Sequence, residues 1–490
     1  MPDPRASSSG MERAKAIAER LAGARRVHVY GHIDSDGITG CAIASEALDR
    51  AGVEHEVTFL KKLDEAALAA VRDENPPLAW FVDFGAGQLH HMNGLEAVIT
   101  DHHVPTEREI PAEVRADLTA LATEQDRVLM LNPHLMGEGS DAASGAGTTY
   151  LVAREMDSRN TDLAAIAVVG AVADMQEREW RRLTGFNRQI LADGVEAGVL
   201  RAETDLRLFG RESRPIHKML QYASDPWIPR LSGNGEACIA FLLELGLEPK
   251  QEGRWLAWNE LPPSQKRLVV SELVRHMLDR GMPAKDVQRL VGEQYTLLRE
   301  EPGSPLRDAK EFGTLVNACG RYDRADVAYR VCRGDREEAL EEAFALLRGH
   351  RETIVRSLDF IDEIGIQQLA AVQYFHAQDR IRDTVVGIAA SMAFNAPGVA
   401  KDLPIVAFAT ADDGIKVSVR GTRELVAQGL DLAAVMREAA KAVGGEGGGH
   451  HVAAGATIPP GREEEFLAIV DRLVSAQLGR TPGFSTGAGA

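Results

Sequence analysis

The chain has 490 residues, and 73 acidic against 55 basic side chains give it a formal charge of -18. That length allows two or three domains with a large buried core. A net charge of this sign excludes a passive, charge-driven nucleic-acid binder and leaves a local cationic groove or bound divalent ions to hold a phosphodiester.

The start, MPDPRASSSGMERAK, has no signal-peptide pattern, and residues 1–24 are expected to form a helix or a disordered lead. From residue 25 to 186, RVHVY, VEHEVTFL, LAWFVDF and EAVIT read as strands, separated by helical stretches such as GCAIASEALDRAG. Strands so nearly continuous in their hydrophobicity predict an α/β domain with a parallel sheet covered on both faces. The longest apolar run, LAAIAVVGAVA, is too short to span a membrane. Residues 187–364 read as a helical middle insert carrying no catalytic motif, suited to packing or to partner docking. A smaller C-terminal α/β module is predicted over 365–478, with strands in DTVVGIAAS, PIVAFATADDGIKVSVRGT and HVAAGATI and a helix in DLAAVMREAAKAV. The last residues, 479–490, read as a disordered tail. Cys41, Cys238, Cys319 and Cys332 are scattered without C-x-x-C spacing, so neither a disulfide framework nor a zinc knuckle is expected, and a cytoplasmic setting is.

The chemistry-bearing residues gather where apolar runs end. VHVYGHIDSDGITG places His32, Asp34 and Asp36 at alternate positions after the first strand. Asp83 ends AWFVDFGAG, Asp101, His102 and His103 end EAVITDHHVP, and Asp174 follows IAVVGAVAD. Since open α/β sheets bind ligands beyond the carboxyl ends of their strands, these eight residues should share one rim. So many carboxylates repel one another unless cations compensate, and a mixed oxygen and imidazole set leans towards Mn²⁺ or Mg²⁺. A structural alternative exists for each cluster alone; Ser35 or Asp36, for example, could merely cap a helix starting near Ile38.

In order and context HIDSDG, FVDFG, DHH and VADM resemble the four motifs of the DHH phosphoesterases, and GGEGGGHHVAAGA resembles the signature of the DHH-associated domain. The long helical insert, LVNACGR (Leu315 to Arg321) and KVSVRGT make the chain most similar to the archaeal RecJ-like nucleases of the GINS-associated type. The resemblance implies two divalent ions, Mn²⁺ ahead of Mg²⁺. His32, Asp34 and Asp83 would hold one of them; Asp36, Asp83, His102 and Asp174 would hold the other, with Asp83 as the bridge. It further implies that Asp101 orients the ligands and that His103 faces the scissile phosphate. In the far module, Arg420, Ser418, His450 and a glycine loop of Gly447, Gly448 and Gly449 would contact phosphate, with His451 an alternative to His450 and Asp412 or Asp413 a competing partner for Arg420. His134, His90, His91, His217 and His376 read as structural. The implied activity is hydrolysis of single-stranded DNA, and of RNA, to mononucleotides in replication or repair. Possible partners are the GINS complex and the replicative helicase, with no membrane. Two alternatives stand beside it: an oligoribonuclease or cyclic-dinucleotide phosphodiesterase, and a GINS-binding replication scaffold with secondary or no nuclease activity.

Overall fold

The structure is a computed structural model that describes residues 4–105, 127–396 and 398–480. The expected tail lies, beyond residue 480, outside the described residues, as do the first three residues of the chain. Two units divide the chain, Met1–Leu346 and Leu347–Ala490, and the division falls inside the stretch read as an insert.

The first unit opens with α1 (Pro4–Ala22), β1 (Arg26–His32), α2 (Ser35–Ala51), β2 (Glu54–Leu60), α3 (Glu65–Glu74), β3 (Ala79–Val82) and β4 (Ala97–Thr100). There follow β5 (Val128–Leu131), α4 (Gly145–Met156), α5 (Ala164–Ala173) and α6 (Gly185–Glu196). The five strands form one parallel sheet in the order β2-β1-β3-β4-β5. Every residue of β3 and β4 is buried, which explains their unbroken apolar runs. The sequence reading missed β5, whose four residues are too few to show a period. In this strand order the topological switch point lies between β1 and β3. His32 ends β1 and Asp83 directly follows β3, so two of the four motifs meet at that switch point.

The middle stretch comprises β6 (Leu200–Leu206), α7 (Ile216–Gln221), α8 (Gly235–Glu244), β7 (Lys250–Gln251), β8 (Arg254–Trp255), α9 (Pro263–Asp279), α10 (Ala284–Val287) and β9 (Val291–Leu297). After it come α11 (Ala309–Arg321), α12 (Ala325–Cys332) and α13 (Glu338–Ile364). Helices dominate, as the periodicity predicted. An antiparallel ladder from Leu200↔Leu297 to Leu206↔Val291 also runs through the stretch. Only the two end leucines of β6 are buried, so LRAETDL shows no alternation from which a strand could be read. Between the two strands, α7, α8 and α9 enclose a separate core around Met219, Leu242, Trp258 and Leu273.

The second unit contains β10 (Gln367–Gln368), β11 (Gln373–His376), α14 (Asp383–Asn395), β12 (Ile405–Ala411), β13 (Gly414–Arg420), α15 (Arg423–Ala427), α16 (Leu432–Ala442), β14 (Glu446–Gly449), β15 (Ala453–Ile458) and α17 (Glu463–Gln477). Its sheet runs β10-β11-β12-β13-β15-β14. Two expectations are corrected here. DTVVGIAAS is the start of α14, not a strand: Val385, Val386, Ala389, Ala390 and Ala393 are buried at helical spacing, and the small residues let the helix lie close on the sheet. The glycine run is likewise not a loop but the edge strand β14, with Gly447 opposite Ala456 and Gly448 opposite Gly455.

Candidate metal centre

The turn after β1 does two jobs at once. Asp34 caps α2, its Oδ1 accepting the Gly37 amide at 3.1 Å, and the helix begins at Ser35 rather than near Ile38. Neither Ser35 nor Asp36 is the cap. Asp36 is therefore free to point inward, where Oδ2 accepts the Gly145 amide at 2.6 Å and Oδ1 accepts the Ala146 amide at 3.0 Å. These are the first two amides of α4, and a helix N-terminus favours a carboxylate. Asp83 leaves β3 in a left-handed conformation, φ 66°, which a residue with a Cβ adopts only under constraint. Its side chain is 2% exposed.

The ligand atoms converge on Asp83. His32 Nδ1 lies 3.0 Å from Asp34 Oδ2 and 3.4 Å from Asp83 Oδ2. On the other side His102 Nε2 lies 3.4 Å from Asp83 Oδ1, 3.7 Å from Asp36 Oδ2 and 3.7 Å from Asp174 Oδ2. Asp174, its side chain 36% exposed at the end of α5, is steadied by the Gln176 side-chain amide at 3.0 Å. His102 Nδ1 faces the Ser140 carbonyl at 3.1 Å, which fixes its proton there and turns the Nε2 lone pair into the cluster. Asp101 binds no other member of the rim than the neighbouring histidines: its Oδ1 accepts from His103 Nδ1 at 2.8 Å and from the His102 and His103 amides, and Oδ2 accepts the Ala86 amide. That is the geometry of an orienting group.

The electrostatics show an acid cluster short of positive charge. Burial, then the Asp83 charge, pushes Asp36 well above the usual carboxylate range. Lost hydration raises Asp174 to about 6, against the attraction of His102 and with added repulsion from Asp83 and Asp34. Burial opposes the His32 and His102 imidazolium forms, yet the surrounding aspartates hold both well above the ordinary histidine value. His103 is lifted to about 9 by Asp101 despite its own desolvation. Asp101 is lowered to about 2, its burial outweighed by His103 and His102.

The residues fit divalent ions. Three donor sets, His32–Asp34–Asp83, Asp36–His102–Asp174 and Asp83–His102–His103, each have ligand atoms within 4.8 Å of one another. Two buried polar atoms, His32 Nδ1 and Asp83 Oδ1, make no hydrogen bond although carboxylate and imidazole groups surround them. Oxygen donors with imidazole suit Mn²⁺ or Mg²⁺ better than a thiolate-seeking metal. His134, by contrast, hydrogen-bonds Ser140 Oγ at 2.8 Å, which accords with its structural reading.

Helix α11 supplies residues that the sequence reading did not place at the site. Asn317 Oδ1 accepts the Ser35 amide at 2.9 Å, and Ser35 Oγ donates to the Gly313 carbonyl at 3.1 Å. A Cβ on Gly320 would stand 1.9 Å from the Ile33 carbonyl oxygen, so LVNACGR is shaped to seat the HIDSDG turn. Arg321 follows; burial lowers its pKa while the charge of Asp34 raises it. Its charge acts on Asp34, one of the candidate ligands. Arg321→Met is therefore expected to strengthen Mn²⁺ binding several-fold and to lower the melting temperature of the metal-free protein, by titration calorimetry and thermal denaturation. Weaker Mn²⁺ binding would contradict this role.

In the second unit, Arg420 Nε donates to Ser391 Oγ at 2.9 Å, and Nη1 to its neighbour's carbonyl at 2.8 Å. The β12–β13 hairpin puts Arg420 opposite Ile405, at the far end from Asp412 and Asp413. A Cβ on Gly387 would meet Arg420 Nη2 at 2.6 Å and Ser418 Oγ at 3.2 Å, so α14, β13 and these two side chains form one tight corner. His450 follows the edge strand, its amide bonded to the Ala453 carbonyl at 2.8 Å, while His451 pairs with Asp431 at 3.1 Å.

Residues 208–291 match the DHH-CID domain and residues 368–476 match the DHHA1 domain. An uncharacterized protein of Methanocaldococcus jannaschii is 28% identical over 95% of this chain and 97% of its own. The single-stranded-DNA-specific exonuclease RecJ of Thermus thermophilus is 26% identical over 48% of this chain, but only 34% of RecJ is spanned. In the crystal structure of that RecJ with Mn²⁺ the fold matches over 95% of this chain and 55% of the other, with a TM-score of 0.57 and 18% identity. The CDC45 structure from Entamoeba histolytica matches over 96% and 99%, with a TM-score of 0.62 and 10% identity. The chain thus carries matches to the DHH-CID and DHHA1 domains and is similar to RecJ in sequence over part of its length and in fold over most of it.

Proposed function

We propose that this protein is a divalent-metal-dependent exonuclease that degrades single-stranded DNA, and RNA, to mononucleotides. The observation that carries the reading is the convergence of His32, Asp34, Asp36, His102 and Asp174 on the buried, backbone-constrained Asp83. His32, Asp34 and Asp83 would hold one ion and Asp36, Asp83, His102 and Asp174 the other. When bound, such a pair supplies Lewis-acid charge that activates a water and offsets the charge of the phosphoryl oxygens. The protein's own part is orientation and proton placement. Asp101 fixes the imidazole of His103 and the backbone amides of both histidines of the DHH motif, and the half-exposed His103 keeps its proton through neutral pH, so it can donate to a phosphate oxygen. In the second unit Arg420, Ser418 and His450 are assigned to phosphate contact, together with the backbone of Gly447, Gly448 and Gly449, where no side chain obstructs approach. Crystal structures of the Thermus RecJ with Mn²⁺ and with Mg²⁺ support a hard divalent ion, and the histidines favour Mn²⁺.

Matched DNA and RNA strands labelled at either end, digested across a metal series, test the reading. Mononucleotides released from one end with Mn²⁺ are expected. Strands left as intact as with Asp83→Ala protein sink the idea. Preference for very short oligonucleotides by orders of magnitude would shift it to the oligoribonuclease or dinucleotide alternative. A replication scaffold that binds GINS is the second reading, supported by likeness to the CDC45 fold; the complete ligand set favours catalysis alongside any such role.

A further inference from the structure

Among the described residues, strongly exposed aromatic rings are confined to one region. The chain has five tryptophans. Two of them, Trp80 and Trp258, are fully buried. The other three are exposed, Trp180 by 61%, Trp227 by 45% and Trp255 by 37%, and Tyr222 joins them at 57%. Among the described residues, every strongly exposed tryptophan, tyrosine or phenylalanine thus falls between positions 180 and 255. Scattered exposed aliphatics are ordinary on a soluble surface, but large rings collected in one segment are not.

Cations are interleaved with the rings. The Arg214 guanidinium lies 4.6 Å from the centre of the Phe209 ring and 5.3 Å from that of Tyr222. Lys218 Nζ is 5.8 Å from Tyr222, and Lys250 Nζ is 5.6 Å from Trp255, whose other neighbour is the His217 ring at 4.1 Å. The series continues towards the metal centre. Arg178 Nη2 pairs with Asp225 Oδ2 at 3.6 Å, which ties the Trp180 loop to the segment carrying Tyr222 and Trp227. A buried pair, Arg207 with Glu177 at 3.1 Å, anchors the same loop. That loop starts at Asp174, and six residues span at most about 20 Å, so Trp180 lies within that reach of the acid cluster.

We propose that this strip is a stacking track for single-stranded nucleic acid, holding the part of the strand that has not reached the metal centre. Rings accept any base by stacking, and the intervening Arg and Lys can meet the backbone phosphates of a strand. The choice of ligand rests on the phosphodiesterase reading; the strip itself does not.

The test uses the full chain in EDTA, where nothing can be cut, with labelled oligo(dT) and oligo(U) of about five and about 20 nucleotides in anisotropy titrations. The unaltered protein should bind the long strands at least tenfold more tightly than the short, with quenching of tryptophan fluorescence and weakening as salt rises. Trp180→Ala, Tyr222→Ala and Trp227→Ala should each cost about five- to tenfold for the long strands, and together abolish the length preference. Val195→Ala, an exposed apolar site outside the strip, serves as the control and should bind as the unaltered protein does. Unchanged affinity in the triple variant overturns the proposal, as does tryptophan fluorescence unmoved by saturating oligonucleotide in the unaltered protein, a readout that needs no variant to fold. The second result is also what a protein-docking surface would give. Strands bound at the strip but never cut by Mn²⁺-loaded protein would instead sink the phosphodiesterase reading and leave the track standing.

Discussion

Asp83→Asn is expected to abolish Mn²⁺-dependent hydrolysis and to lower Mn²⁺ affinity by at least about 100-fold, more than any other single substitution in the cluster. The reason is topological: the Asp83 carboxylate faces His32 with one oxygen and His102 with the other, so its loss disables both donor sets. Asp34→Asn is the informative partner. Asparagine still caps α2, so that variant should keep its fold and lose only the set around His32. Thermal denaturation gives an independent readout. At an excess of about 100 times Kd, metal stabilises the unaltered protein by about 2.7 kcal/mol, a rise of a few degrees, and Asp83→Asn should show none. The sign of the pH dependence follows from the same groups. Asp174 keeps its proton up to about 6, and His32 and His102 keep theirs above the ordinary histidine value. Metal must displace these protons, so affinity should climb steadily from pH 5 to 8 with net proton release in calorimetry. Equal Mn²⁺ affinity in Asp83→Asn and Asp34→Asn proteins would rule out the bridging role.

Gly145→Ala should disable the centre without touching a ligand. A Cβ at this position would stand 2.5 Å from the Asp83 Cβ, 2.6 Å from its Oδ1 and 2.8 Å from its Cα. Asp83 is already held in a left-handed conformation and cannot yield in place, while the Gly145 amide that binds Asp36 would have to move as well. Overpacking of this kind costs about 1–3 kcal/mol. Mn²⁺ affinity should fall at least about tenfold, since both carboxylates shift together. Gly139→Ala, where a Cβ meets nothing, is the matching control. A Gly145→Ala protein with unaltered metal affinity would show that the close approach is not required.

Much of the site was legible in the sequence because its ligands are local to strand ends. His32, Asp34 and Asp36 follow one buried run, Asp83 a second, and Asp101, His102 and His103 a third, and parallel strands in a sheet end on the same side. Asp174 was legible for a different reason: the apolar run before it is helix α5, not a strand, yet its end still marks where a buried segment emerges. The second unit was read less well. Small residues and two adjacent valines disguised α14 as a strand, which hid Ser391 as the partner of Arg420, and the glycines of β14 looked like a loop because strand edges built of glycine carry no side-chain alternation.

The sequence by itself pointed to the candidate ligands, the parallel sheet and the helical character of the middle stretch, since each is written in short-range periods of apolar and polar residues. Tertiary structure alone decided which atoms meet: the amides of Gly145 and Ala146 on Asp36, Asn317 on the HIDSDG turn, Arg178 on Asp225, and the pairing of β6 with β9. Such contacts join residues far apart in the chain. Their energy comes from desolvated charge and close packing between elements, and neither leaves a local pattern for the sequence to display.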